Sequence, residues 1–131
     1  MSLEENKAIP RRILMEVYNQ KRVDLIDEIY HKKFRTYAPP DIIKGTDGLK
    51  KFVSMIHNAF PDAQFTIEDQ IAEGDKVVTR FTLSGTHKGE FMGATPSGKK
   101  ITTNGITIHR IANGKAIESW DNFIQHKYSL T

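Results

Sequence analysis

Asp121 is an acidic residue inside a predicted strand, and aspartate is rare in strands. It lies in the run Trp120–Phe123, inside a stretch rich in β-branched and aromatic residues that predicts a strand. Because strand side chains alternate, Ile117, Ser119, Asp121 and Phe123 share one face. If that face lines a cavity, Asp121 is a carboxyl group in a mainly apolar wall, where it could transfer protons. Otherwise it lies exposed at a sheet edge or bonds a nearby polar group.

The other residue types exclude several kinds of site. The chain contains no cysteine, which rules out disulfides, thiolate nucleophiles and cysteine-ligated metals. No histidines have the compact spacing of a metal-binding motif, and no Ser-His-Asp order, phosphate loop or nucleotide fingerprint is present. We expect His57 to face the surface or border the core, and His87 to begin a turn. The five histidines are His31, His57, His87, His109 and His126.

Composition and charge predict an ordinary single domain. The chain has 131 residues, of which 38% are hydrophobic and 27% charged, so it is long enough for one core. The net charge is +3, but basic doublets are interleaved with acids, which indicates a solvated surface and not a nucleic-acid site. No signal-peptide core is present and no apolar run approaches the ~20 residues of a membrane span. We therefore expect a cytoplasmic protein.

A long hairpin closes the chain and carries Asp121. Asn113-Gly114 is a strong turn signal, because both central residues of a tight hairpin need positive φ. Alternation of apolar and polar residues also predicts an earlier pair of strands. The predicted strands cover 101–111 and 116–124 in the closing hairpin, and 65–71 and 77–83 before it.

The helices are predicted to come first. Ser2 and Glu5 fit a capping box, and Pro10 is expected to kink the first helix or delay its start. A short second helix is predicted from Asp24 and a third with Thr46 as its cap. Helices followed by strands predict an α+β fold, with helices packed on one face of a mostly antiparallel sheet. Such a sheet curls and leaves a concave end that favours small-molecule sites.

The segment His87–Gly98 is rich in glycine and predicts a loop between strands. Phe91 and Met92 are apolar residues within it. Two interpretations are open: they plug the loop onto the core, or they cover the mouth of a pocket.

Several stretches of the sequence carry motifs that occur together in one family. They are Glu4–Lys7, Phe60–Asp62, Phe65–Asp69, Ala72–Asp75, Gly85–Gly93, Pro96–Lys99, Ile111–Lys115 and Glu118–Phe123. In order and over nearly the whole chain they resemble the SnoaL-like polyketide cyclase, or ester cyclase, family of the nuclear transport factor 2-like superfamily. The resemblance implies one α+β domain over residues 1–131. Its expected shape is a cone-shaped half-barrel, a curved sheet around N-terminal helices with an internal pocket, usually assembled as a homodimer through the sheet.

The resemblance also implies a chemistry for Asp121. Characterised cyclases of the family close a ring by intramolecular aldol condensation without a metal or cofactor, and an aspartate near the end of the last strand acts as acid and base. By position that aspartate corresponds to Asp121. A pocket histidine on the preceding strand aligns with Thr107, and His109 shares its face two residues on. Many relatives carry Asp-His where this chain has Thr36-Tyr37.

These considerations predict a general base acting on a hydrophobic carbonyl compound. An unperturbed carboxylate, with a pKa near ~4, is a poor base for removing a proton next to a carbonyl. Burial in an apolar pocket raises the pKa of a carboxyl group and makes it a stronger base. We expect Asp121 to be that base, with Thr107, His109 or Tyr37 orienting the substrate carbonyl. The other predicted substrate-binding residues are Tyr18, Ser119, Phe91 and Trp120.

Three functions remain open from the sequence. The first is a cofactor-independent cyclase- or isomerase-like enzyme, and the second is a non-catalytic protein that binds a small apolar ligand. The third is a homodimeric interaction domain with a vestigial pocket.

Tyr18 and Tyr30 fit a core or a pocket wall, and Trp120 fits packing in the pocket or across a dimer face.

Overall fold

The first helix begins where its capping signals predict. In the computed structural model, which describes residues 2–38, 41–91 and 93–124, helix α1 spans Leu3–Arg12. The Ser2 hydroxyl accepts a hydrogen bond from the Glu5 amide at 3.0 Å, and the Glu5 carboxylate accepts one from the Ser2 amide at 3.0 Å. The predicted capping box is therefore confirmed. Pro10 lies inside α1 and does not delay its start.

Beyond α1 the chain continues as a π-helix over Ile13–Asn19. π-helical turns are rare and frequently occur at functional sites. A 3₁₀ turn follows at Val23–Leu25 and then a short helix α2 at Ile26–Ile29. The helix predicted from Asp24 is thus present but short.

Helix α3 spans Gly45–Ala59 and buries Leu49, Val53 and Ile56. The prediction that Thr46 caps this helix is wrong, because the N-cap is Lys44 and no side chain caps the helix. The chain turns into the helix at Gly45, whose φ of 72° is a backbone conformation that glycine adopts readily.

Among the described residues, six strands form one sheet that packs against these helices in the order β2-β1-β6-β5-β4-β3. Its strands are β1 Tyr30–Ala38, β2 Asp41–Lys44, β3 Gln64–Glu73, β4 Lys76–Thr86, β5 Lys100–Ala112 and β6 Lys115–Ile124. All neighbours are antiparallel except β1 and β6, which run parallel. Sequence patterning missed the short strand β2. The sheet is not closed, and the predicted α+β cone is confirmed.

The closing hairpin forms as predicted and sets the register of the site. Asn113 and Gly114 have φ values of 51° and 77°, and they join β5 to β6. In this hairpin Thr107 lies directly opposite Asp121. Residues two positions apart on either strand share a face, so one face of the hairpin carries several polar side chains.

The core lies between the helices and the concave face of the sheet. Val17 from the π-helix, Val53 from α3 and Val77 from β4 are fully buried there. Within the described ranges, no helix is both long and apolar enough to cross a membrane.

Candidate active site

A small cavity lies between the helices and the concave face of the sheet. Its volume is about 50 Å³. Most of its wall is apolar, and polar side chains come mainly from β1, β5 and β6. The apolar lining residues are Ile13, Leu14, Phe34, Leu49, Phe52, Ile56, Phe65 and Phe81; the others are Tyr18, Tyr30, Thr36, Thr107, His109, Ser119 and Asp121.

The carboxylate of Asp121 is held from both neighbouring strands. The hydroxyl of Thr107 on β5 donates to Oδ1 at 2.6 Å, and the hydroxyl of Thr36 on β1 donates to Oδ2 at 3.0 Å. A carboxylate offers about four acceptor sites, so two bonds leave capacity for a ligand. Because both hydroxyls donate to it, the carboxylate is held in one orientation.

A third hydroxyl extends this network. The Ser119 hydroxyl donates to Thr36 Oγ1 at 2.7 Å, and both side chains are almost completely buried. Ser119 therefore orients Thr36, and Thr36 orients Asp121. Polar groups at this depth are costly unless they are paired, so the chain Ser119–Thr36–Asp121–Thr107 forms a satisfied unit.

His109 is the other titratable group on the same face as Thr107. It is 5% exposed, and burial lowers the pKa of His109 below its usual value, while the negative charge of Asp121 acts in the opposite direction. The imidazole is therefore neutral at neutral pH. Its Nδ1 atom is buried and has no hydrogen-bond partner among the described residues.

Two tyrosines face the cavity from other elements. Tyr18 comes from the π-helix and Tyr30 from the start of β1. Burial raises the pKa of the Tyr18 phenol, and the charge of Asp121 raises it further. The pKa of Tyr30 is also raised, first by burial and then by Tyr18 and Asp121. Both phenols therefore remain protonated and can donate hydrogen bonds.

The structure brings five of the predicted site residues together. Asp121, Thr107, His109, Tyr18 and Ser119 all line the cavity. Thr36 and Tyr30 also line it. Tyr30 was predicted to belong to the core or the pocket wall, whereas Thr36 was not predicted as a site residue. Thr36 was noted only as a departure from the family pattern, since nothing local shows that β1 pairs with β6.

Three predicted substrate-binding residues lie away from this cavity. Tyr37 and Trp120 stack on the other face of the sheet, with ring centroids 5.8 Å apart, and the Tyr37 hydroxyl donates to Glu118 Oε2 at 3.1 Å. They point outward because Thr36 and Asp121, their neighbours in sequence, point inward. Phe91 packs on Phe60 with ring centroids 5.3 Å apart, so it plugs the loop onto the core.

His57 and His87 contact the scaffold and do not line the cavity. His57 Nε2 lies 2.9 Å from the backbone oxygen of Tyr18 and thereby supports the end of the π-helix. His87 is buried against Phe60 at a centroid distance of 5.4 Å and follows the last residue of β4. In the part of the chain that the structure describes, no group of three or more His, Asp or Glu side chains is arranged to hold a metal. His126 lies outside the described residues.

Comparison with known proteins agrees with this architecture. A protein from Jannaschia sp. CCS1, named as a candidate SnoaL-like polyketide cyclase, superposes with a TM-score of 0.86 at 24% identity, covering 92% of this chain and 86% of that one. AclR from Streptomyces galilaeus, a candidate hydroxylase, gives a TM-score of 0.81 at 28% identity, covering 93% and 80%. A candidate polyketide cyclase from Acidithiobacillus ferrooxidans gives 0.81 at 27% identity, covering 95% and 92%.

No curated protein matches the chain. The model described as SnoaL-like polyketide cyclase matches residues 8–124. The chain therefore belongs to the SnoaL-like polyketide cyclase family.

Proposed function

We propose that this protein is an enzyme that removes a proton next to a carbonyl group of a hydrophobic substrate, as a step in ring closure or isomerisation. The observation that supports it best is the carboxylate of Asp121, fixed by the hydroxyls of Thr36 and Thr107 inside a mostly apolar cavity. A general base must be held within reach of the proton that it removes, and two hydrogen bonds that fix the carboxylate in one orientation meet this requirement.

The proposed reaction begins with a proton transfer to Asp121. Asp121 accepts the proton from the α-carbon, and the electron pair of the broken C–H bond forms the double bond of an enolate. In an isomerisation, Asp121 returns the proton to another carbon. In an aldol closure, the enolate carbon forms a bond to a second carbonyl carbon, and Asp121 protonates the resulting alkoxide.

His109 is the predicted polar partner that faces the cavity beside Asp121. Its neutral imidazole can donate a hydrogen bond to the substrate or accept one from it, without placing a second charge beside the base. Thr107 is already committed to Asp121 through its hydroxyl, so in this proposal it positions the base and does not bind the substrate.

The size of the cavity restricts how a substrate is bound. A volume of about 50 Å³ accommodates one or two water molecules. A substrate with several carbon atoms therefore enters only when lining side chains move apart. Small ketones require the least movement, and they are the appropriate first probes.

The test is exchange of α-protons for deuterium in acetone, cyclohexanone and ethyl acetoacetate, followed by proton NMR in D₂O. We expect the wild-type protein to accelerate exchange above buffer for at least one probe, and Asp121→Asn to abolish the acceleration. Asp69→Asn is the matched control, because Asp69 is an exposed carboxylate paired with Arg80. Equal exchange with the wild-type and Asp121→Asn proteins would show that Asp121 is not the base.

The apolar wall also supports a second candidate, a non-catalytic protein that binds a small apolar ligand. Eight of the lining residues are purely hydrocarbon side chains. Under this alternative no probe would exchange faster than in buffer, while apolar ligands would raise the melting temperature of wild-type and Asp121→Asn proteins equally.

A further inference from the structure

Two phenol groups share the cavity with Asp121 and have no role in the step described so far. Tyr30 is 3% exposed, and its ring packs edge-on against Phe34 with centroids 4.6 Å apart. Tyr18 packs against Phe65 with centroids 4.9 Å apart. The rings are thus fixed by aromatic contacts.

The hydroxyls of these two rings are unused donors. Both tyrosines line the cavity, and among the described residues no hydrogen bond joins either hydroxyl to another group. Buried tyrosine hydroxyls usually find a partner, and a group that lacks one inside a cavity is available to a ligand. A ligand with an acceptor oxygen would supply that partner.

The electrostatic surroundings keep both groups in their donor form. Burial raises the pKa of each phenol, and the charge of Asp121 adds to the effect. The cavity therefore contains one fixed acceptor of protons and two fixed donors of hydrogen bonds. Removing an α-proton requires this combination, because the base takes the proton while negative charge develops on the carbonyl oxygen.

We propose that the hydroxyls of Tyr18 and Tyr30 bind the carbonyl oxygen of the substrate and stabilise the enolate formed when Asp121 removes the α-proton. This inference rests on the proposed function. As the C–H electron pair becomes the new carbon–carbon double bond, the carbonyl π pair moves onto oxygen and both tyrosines donate to that oxygen. The substrate class is thereby narrowed to a ketone or ester whose enolisable end is compact enough to reach both tyrosines.

The test uses 4-nitrophenolate as a stand-in for the enolate. Asp121→Asn removes the negative charge, as protonation of the base would, so we expect this variant to bind the phenolate more tightly than the wild type. Adding Tyr30→Phe or Tyr18→Phe should weaken binding about tenfold to a hundredfold, since hydrogen bonds to charged groups contribute about 1.5–3 kcal/mol. Binding is followed by the absorption of the bound phenolate.

Tyr37→Phe provides the matched control in the same background. Tyr37 lies on the other face of the sheet, and its hydroxyl contacts Glu118, so its replacement should leave phenolate binding unchanged. The proposal is overturned if Tyr30→Phe and Tyr18→Phe bind as tightly as Tyr37→Phe, or if Asp121→Asn binds no phenolate. Circular dichroism of each variant confirms that the fold is retained.

The same titrations separate this inference from the proposed function. If the wild type binds the phenolate as tightly as Asp121→Asn, Asp121 does not face the anion and the proposed base is wrong. If the tyrosine variants still weaken binding in that case, the phenol site remains valid without the base.

Discussion

The carboxylate of Asp121 receives one hydroxyl donor from each neighbouring strand, and the shorter bond comes from Thr107 at 2.6 Å. Thr107→Val keeps the shape of the side chain and removes the donor. We expect α-proton exchange to fall about tenfold to a hundredfold, because a misplaced catalytic group reduces the reaction rate by that order. Thr107→Ser restores a hydroxyl and should recover most of the activity. Wild-type exchange in Thr107→Val would refute the positioning role.

His109 makes the stability of the protein depend on pH. Burial lowers the pKa of His109 in the folded state, so between that value and about 6.5 the unfolded chain binds more protons. The free energy of unfolding should therefore decrease as the pH falls through this range. When the pH is lowered from about 7.5 to about 5.5, we expect the melting temperature of His109→Gln to decrease less than that of the wild type.

His31→Gln is the control for this pH effect, because it removes a histidine that lies outside the cavity. Identical pH dependence for His109→Gln and the wild type would contradict the assignment of the effect to His109.

At the scale of elements, β4 and β5 shape the cavity through the contact between Phe81 and Gly105. These residues are paired across the two strands, and a Cβ added at Gly105 would overlap Cζ of Phe81 and lie 2.8 Å from its Cε1. Gly105→Ala should therefore displace the Phe81 ring and reduce the free energy of unfolding by about 1–3 kcal/mol.

Urea unfolding of a double-mutant cycle tests this contact. In a Phe81→Leu background the smaller side chain leaves room for the new methyl group. The decrease in the free energy of unfolding caused by Gly105→Ala should then be smaller by at least ~1 kcal/mol. Equal costs in both backgrounds would show that the two residues do not restrict each other.

Local patterns predicted the elements better than their non-local pairings. The Asn113-Gly114 turn and the alternation of β6 correctly placed Ser119 and Asp121 on one face. The parallel pairing of β1 with β6 has no local signal, because the two strands lie far apart in the sequence. The role of Thr36 was therefore missed, and Tyr37, which alternates with it and was predicted to orient the substrate, lies on the face away from the cavity.

At the scale of the whole molecule, an apolar row crosses the outer face of the sheet. Each member is paired with the next in register. The row consists of Ile42, Tyr37, Trp120, Ile108, Val78 and Ile71. Ile42 is 55% exposed, Ile71 64% and Trp120 36%. Contiguous apolar surface of this kind on a soluble protein usually marks an interaction site.

We propose, as the family resemblance implies, that the protein forms a homodimer through the sheet, in which this row pairs with the same row of a second copy. A twofold interface is self-complementary, and charged groups such as the Arg110–Glu118 pair, joined at 2.9 Å, flank the row as a polar rim. Burying the row in both copies would remove the exposed apolar surface without covering the cavity, which lies on the opposite side of the sheet.

Sedimentation velocity tests the association directly. We expect the wild type to sediment as a dimer at micromolar concentration and Trp120→Lys to sediment as a monomer, because the substitution places a charge at the centre of the row and desolvating it opposes association. Losing the stacking contact with Tyr37 should cost about 0.5–1.5 kcal/mol of stability, so the variant remains folded. Ser54→Lys adds the same charge on the exposed side of α3 and should leave the dimer intact. A wild type that sediments as a monomer, or a Trp120→Lys protein that stays dimeric, would show that the row is not the interface.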